Sequence, residues 1–225
     1  MNKEWSELNK TVQTKMKKEG TYREGMEVLL ELRKQLFHEL LQMKTELGRE
    51  IFNAMPFLHA DGYHNKTIAY SIWHIFRIED IVAHTLIGRD EQIFFSGDYQ
   101  KRTGSPIITT GNELVGQQIA DFSETLNLDE LYRYITDVKI STEDMLKGLS
   151  FADLKRKMAD ADKERLKALG VVSEDDKAYW LIDYWCGKNV RGLIQMPFSR
   201  HWIMHVEASL RIRNKSVLSR KSMYF

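Results

Sequence analysis

Apolar residues recur three and four positions apart along most of this chain, the spacing that lines one face of an α-helix. Between Tyr22 and Asn53 these positions are Leu29, Leu32, Leu36, Leu40, Met43, Leu47 and Ile51. They predict one continuous helix of about 48 Å at 1.5 Å per residue. Residues 4–18 are lysine-rich and predict a short, loosely held helix ahead of it. Met55–Asn65 contains Pro56, Asp61 and Gly62 and reads as a loop. A second long helix is expected from about Lys66 to Leu86, ending near Gly88. It is apolar on most of its circumference, the pattern of a helix buried among neighbours.

Residues 88–111 carry Gly88, Gly97, Gly104, Pro106 and Gly111, so they read as an irregular connection. A short extended piece is expected only at Ile107 and Ile108. Thr110 with Glu113 has the pattern of a capping box opening a helix to about Glu124, and Asn127 with Glu130 opens another. In the latter, Leu128, Leu131, Ile135, Val138, Thr142, Met145 and Leu149 suit a helix in an antiparallel bundle. Ser150–Gly170 is charged, with Leu154, Met158, Leu166 and Leu169 as apolar contacts, and predicts peripheral helical structure. Asp175–Asn189 is a helix dense in aromatics, and Tyr179, Trp180, Tyr184 and Trp185 read as core rather than as a ligand platform. The last helix starts just after Pro197 and reaches about Asn214, leaving a polar tail. No repeat or linker divides the chain. The expected organisation is one all-α domain over residues 22–214, with a helical extension at 1–21 and a tail at 215–225.

Composition narrows the class of protein. The chain has 225 residues, 43% hydrophobic and 29% charged, enough for one sizeable core. No apolar run approaches the roughly 18 residues of a membrane span. The N-terminus lacks the apolar segment of a signal peptide, so a cytoplasmic location is expected. A net charge of +1 supplies no field that would draw the chain to nucleic acid or an anionic membrane. Basic residues cluster only at Arg211, Arg213, Lys215, Arg220 and Lys221, where they complement a helix C-terminus. Cys186 is the single cysteine and reads as a small hydrophobe.

The candidate chemistry lies in histidines. His201 and His205 are four residues apart, which places two imidazoles on one helix face within reach of one metal ion. His74 lies in the second long helix. If that helix packs against the last, three neutral nitrogen donors converge and a coordination position stays open, the layout of a catalytic site. Thr67, Tyr70, Ser71, Arg77, Ile78 and Ile81 share the His74 face; Phe198, Ala208, Ser209 and Ile212 share that of the pair. Such mixed faces suit a pocket wall, and Tyr70, Arg77 and Ser209 are the expected substrate contacts. Glu79, Asp80 and Glu207 turn away from the histidines and read as salt-bridge or orienting groups. Trp202 stands where a zinc peptidase would have its glutamate, so a peptidase is excluded. His59 and His64 flank Asp61 and Gly62 and could make a surface metal site, but read first as solvated loop residues; His38 and His84 read as surface or boundary positions.

At two stretches, Ser71-Ile72-Trp73-His74-Ile75-Phe76-Arg77-Ile78-Glu79-Asp80 and Pro197-Phe198-Ser199-Arg200-His201-Trp202-Ile203-Met204-His205-Val206-Glu207, the chain resembles the DinB/YfiT-like superfamily. The likeness spans residues 22–214. It implies an antiparallel four-helix bundle with additional short helices. It also implies that His74, His201 and His205 bind nickel, zinc or a similar divalent ion. Relatives include bacillithiol transferases and mycothiol-dependent maleylpyruvate isomerases, in which the metal is thought to activate a low-molecular-weight thiol.

Three imidazoles leave such an ion its full charge, so a thiol or water brought to it loses its proton more easily than in bulk solvent. The leading expectation is therefore a metal-dependent enzyme acting on a small-molecule substrate, with thiol S-transfer first and hydrolysis second. The rival is a non-catalytic helical bundle, a homodimer included, whose histidines are structural or bind metal without turnover. Nucleic-acid binding rests on the C-terminal basic cluster alone, and neither nucleic acid nor membrane is an expected partner.

Overall fold

The first helix, α1 (Lys3–Lys15), is capped by Asn2, whose side chain accepts from the amides of Glu4 and Trp5. The structure, a computed structural model, describes residues 2–221, with side chains for 2–216. Trp5, Val12 and Met16 are buried against α2 (Tyr22–Glu46), so α1 is firmly packed rather than loosely held. The approach is close at Gly25, where a Cβ would lie 2.9 Å from Met16 Cγ. Helix α2 stops short of the expected length. Leu47 and Gly48 are extended, and the chain restarts as α3 (Arg49–Phe52).

After the loop and a single 3₁₀ turn at Gly62–His64 comes α4 (Ile68–Asp80), opened by Thr67, whose hydroxyl accepts from the amide of Tyr70. It runs on in wider π-helical turns over Ile81–Gly88, and residues 68–87 are all buried. Two short helices, α5 (Ile93–Ser96) and α6 (Tyr99–Thr103), lie within the irregular connection, and Ile107 and Ile108 form no strand. The expected helix start at Thr110 is displaced: α7 spans Gln117–Thr125. The reason is local. Thr109, not Thr110, bonds Glu113, while Gly111 (φ +76°) and Gly116 (φ +52°) turn the backbone out of a helical path. The break after α2 has a use here, because Arg49 donates to the carbonyls of Ser123, Glu124 and Leu126 around the end of α7.

The start at Asn127 is as expected, its side chain accepting from the amide of Glu130 to open α8 (Leu128–Gly148). A Ser150–Asp153 capping box opens α9 (Phe151–Lys155); α10 (Asp160–Leu169), α11 (Asp176–Cys186) and α12 (Val190–Ile194) follow. A π-helical turn at Met196–Arg200 leads into α13 (His201–Lys221), which extends past Asn214 through much of the expected tail. The side chains of Arg220 and Lys221 lie outside the described residues.

All regular structure among the described residues is helical, apart from one isolated bridge between Lys157 and Asn189. The main contacts of α2, α4, α8 and α13 follow a cycle in which each touches two others: α2 with α8, α8 with α4, α4 with α13, and α13 with α2. One apolar cluster fills this ring around Trp73, Phe76 and Trp202. A second joins α1, α2 and the π-helical end of α4 to the short helices that carry Leu154, Leu166, Trp185 and Leu193. No helix among the described residues is long and apolar enough to cross a membrane.

Candidate metal centre

Helix α4 is buried on every side, so a histidine in its middle has no solvent to face, and His74 is 4% exposed. Its ring meets those of His201, 7% exposed at the start of α13, and His205, 5% exposed one turn later. Ring centroids are 5.0 Å apart for His74 and His201, 4.9 Å for His74 and His205, and 4.6 Å for the pair on α13. One nitrogen from each ring lies within 4.8 Å of the other two. The three distant residues named from the sequence are thus brought to one point.

Neighbouring groups fix the orientation of His74. Its Nδ1 lies 2.7 Å from the carbonyl oxygen of Thr110. A carbonyl only accepts, so Nδ1 carries the proton and Nε2 keeps its lone pair. Tyr70 stacks on the ring at 5.3 Å and an angle of 13°, and its hydroxyl donates to the next carbonyl, Gly111 O, at 2.8 Å. Two consecutive carbonyls of the 105–116 loop therefore hold the His74 side of the site. Gly111 permits this close approach: a Cβ there would sit 2.8 Å from Trp73.

A buried ion pair fixes the two histidine-bearing helices relative to each other. Glu79 on α4 accepts from both terminal nitrogens of Arg33 on α2, at 2.9 and 2.7 Å. The same carboxylate accepts from Trp202 Nε1 at 2.7 Å, and Arg33 stacks over the Trp202 ring at 4.3 Å. Trp202 follows His201 directly, so the contact that bolts α13 to α4 lies one residue from the site. Glu79 is a salt-bridge partner, one of the two roles that its position away from His74 suggested. Asp80 plays a separate structural part, accepting from the amides of Ile93 and Phe94.

Burial drives all three imidazoles toward the neutral form. His74 is pushed down to about 4, by burial first and further by Lys66, against the opposing pull of the Thr110 carbonyl. His201 and His205 fall well below the usual histidine range through burial and the presence of the other rings. Neutral imidazole is the state that ligates a metal. Nδ1 of His201 and Nδ1 of His205 are buried with no hydrogen-bond partner among the described residues. Two orphaned ring nitrogens beside a third ring with a free lone pair suit a metal better than they suit a hydrogen-bonded core.

The cluster opens onto a pocket of about 430 Å³. Tyr70 lies on its wall, as expected, together with Ile78. Arg77 does not: its guanidinium turns to the carbonyl of Ile108, at 2.7 and 2.9 Å, and to Gln92 at 2.7 Å. Residues three apart on a helix share a face, but Arg77 is long enough to leave it and bond the Ile108 carbonyl of the neighbouring loop. Ser209 is fully buried beyond His205 and is absent from the pocket wall, its hydroxyl without a partner among the described residues.

The aromatic helix corrects the reading of it as core. Trp185 is buried, but Trp180 is 51% exposed, and both line the pocket with Tyr184. Tyr179 is exposed as well. Lys66, Asn112 and Met204 are further wall residues that sequence reasoning passed over. Of the remaining histidines, His84 bonds Asp90, and His38 and His59 are exposed; His64 pairs with Arg211 and lies near enough to His205 to act on it electrostatically. Cys186 is half-buried, its thiol pushed up to about 11 by burial. Comparison with models of known protein families and with curated proteins finds no match to this chain.

Proposed function

We propose that this chain is a DinB/YfiT-like metal-dependent enzyme. In this reading His74, His201 and His205 hold one divalent ion, nickel or zinc, and the pocket takes a small-molecule substrate with a low-molecular-weight thiol or water as the attacking group. The observation that carries the proposal is the convergence of three buried imidazoles on the wall of an accessible pocket. A purely structural cluster has no need of a pocket, and the orphaned nitrogens of His201 and His205 would be costly without a ligand. The contact cycle of α2, α4, α8 and α13 supports the four-helix bundle that the family resemblance implies.

An ion held by three neutral ligands keeps its double charge and lowers the pKa of a thiol or water in the open position. The protein's own part is to present the donors. The Thr110 carbonyl keeps the His74 proton on Nδ1 and the lone pair on Nε2. Burial keeps the rings neutral, and the Glu79–Arg33–Trp202 contact sets the register of the two helices. Trp180, Tyr184 and Trp185 line the pocket with aromatic surface.

Elemental analysis of protein prepared without a histidine tag tests the site: about one ion per chain is expected, and none in His201→Ala. A screen of thiols against electrophilic acceptors, with water as the competing nucleophile, tests the chemistry. Turnover lost in His201→Ala supports the enzyme. Bound metal with no turnover by thiol or water would overturn it and leave a metal-binding bundle.

A further inference from the structure

The pocket beside the histidines has an uneven chemistry that narrows its substrate. Its walls are mainly apolar and aromatic: Trp180, Tyr184, Leu181, Met196 and Met204 contribute to them. Trp180 and Tyr184 meet edge to face, with centroids 5.5 Å apart, and Trp180 is fixed by the bond from its Nε1 to Lys177 O at 2.9 Å. A rigid aromatic corner of this kind suits a flat ring better than a flexible chain.

Lys66 breaks this pattern. It is half-buried on the pocket wall, with Nζ 5.5 Å from the Tyr70 ring. No carboxylate lies within ion-pair distance of it among the described residues. Glu113, which acts on Tyr70, is bonded to Thr109. A cation partly withdrawn from water and left without an anion is unfavourable unless something that enters the pocket supplies one. Asn112 adds a second polar point on the wall; its buried Oδ1 has no partner among the described residues and, being an acceptor, suits a hydroxyl or N–H of a ligand rather than its carboxylate.

We propose that the pocket binds an aromatic carboxylate, its ring against Trp180 and Tyr184 and its carboxylate paired with Lys66. This deepens the reading of the histidine cluster as the working site, since it names what that site would act on. A carboxylate fits better than a phosphate, because the single Lys66 ammonium matches one negative charge and leaves a doubly charged group short of donors. The volume, about 430 Å³, lies toward the small end of the range for small-molecule sites, roughly 300–1,000 Å³.

The test is calorimetric titration of the full-length, metal-loaded protein with 1-naphthoate and its uncharged isostere, 1-naphthamide. The acid is expected to bind more tightly. A metal ion would also favour an acid, so the decisive quantity is the acid-over-amide preference in Lys66→Gln compared with wild type. It should fall about tenfold or more, tenfold lying at the low end for a charge-assisted hydrogen bond. Lys66→Arg should retain most of the preference, while Trp180→Ala should weaken both probes alike. Circular dichroism and the bound-metal content of each variant separate a local effect from misfolding. An unchanged preference in Lys66→Gln, or equal binding of acid and amide to wild type, overturns the proposal. Because binding is read without turnover, an inactive enzyme would leave this result standing, and a failure of naphthoate to bind would leave the metal assignment untouched.

Discussion

Single residues carry the chemistry here, and those visible in the sequence are the ones whose type alone is informative. Histidine has few uses on an apolar helix face, so His74, His201 and His205 could be named before their meeting was seen. Thr110 could not. It acts through its backbone carbonyl, which every residue possesses, and only the loop's path brings it to His74. Lys66 was equally hidden, since an unpaired ammonium is recognised only when its surroundings are known. Gly111 offers a direct test of the loop's role. Its φ of +76° and the 2.8 Å approach of Trp73 to a would-be Cβ make Gly111→Ala doubly unfavourable. The variant should lose roughly 1–3 kcal/mol in a urea unfolding series, from backbone strain and displaced packing. The shifted Thr110 carbonyl should also weaken metal binding by about 10–100-fold in a chelator competition, the usual cost of disturbing a group that orients a ligand. Wild-type affinity in a folded Gly111→Ala protein would show that the carbonyl does not position His74.

Elements were legible where periodicity and capping agreed. Asn127 opens α8 where its side chain predicts, and α4 is as buried as its nearly uniform apolar surface implies. Errors arose where a sequence pattern was read without its backbone. Leu47 and Ile51 continue the spacing of α2, yet Leu47 and Gly48 are extended, and the break frees Arg49 to satisfy carbonyls near the end of α7. The aromatics of α11 have helical spacing, but the helix lies at the edge of the pocket, so only part of its stripe is covered. The ion pair joining α2, α4 and α13 was foreseeable only in outline, with Glu79 turned away from His74 and its partners unknown. Removing its charge tests how far it fixes those helices. Glu79→Gln leaves Arg33 buried with Glu143 as its remaining carboxylate, at 3.3 Å, and replaces one of the two oxygens that serve Arg33 and Trp202 by an amide NH2 that cannot accept. A loss of about 3 kcal/mol is expected by chemical denaturation, as for other buried pairs broken on one side. Metal affinity should fall with it, because Trp202 adjoins His201. Unchanged stability would mean that apolar packing alone sets the register.

At the scale of the whole molecule, a three-histidine cluster that could hold a metal would link the site to the fold through proton and metal binding. The three histidines come from two helices far apart in the chain, α4 and α13, so an ion held between them would bind the folded protein and not the unfolded one. At a free-metal concentration of 100 times Kd the gain is about 2.7 kcal/mol, or a rise in Tm of roughly 5–10 °C for a chain of this size. Differential scanning calorimetry should show that rise in wild type and not in His201→Ala; an equal rise in both would place the ion elsewhere. Without metal, the same burial makes the protein sensitive to acid. The folded state holds His74 near 4, whereas the unfolded chain returns it to about 6.5. Between those values the unfolded state binds more protons, so stability rises with pH and is lost as pH falls through this window. For His74 alone the full loss is roughly 3 kcal/mol, with His201 and His205 adding in the same direction. Chelator-treated wild type should therefore unfold at progressively lower urea as pH drops from about 6.5 toward 4, and His74→Gln should lose much of that slope. An identical slope in both would show that other groups govern the acid transition and that His74 is not held neutral by the fold.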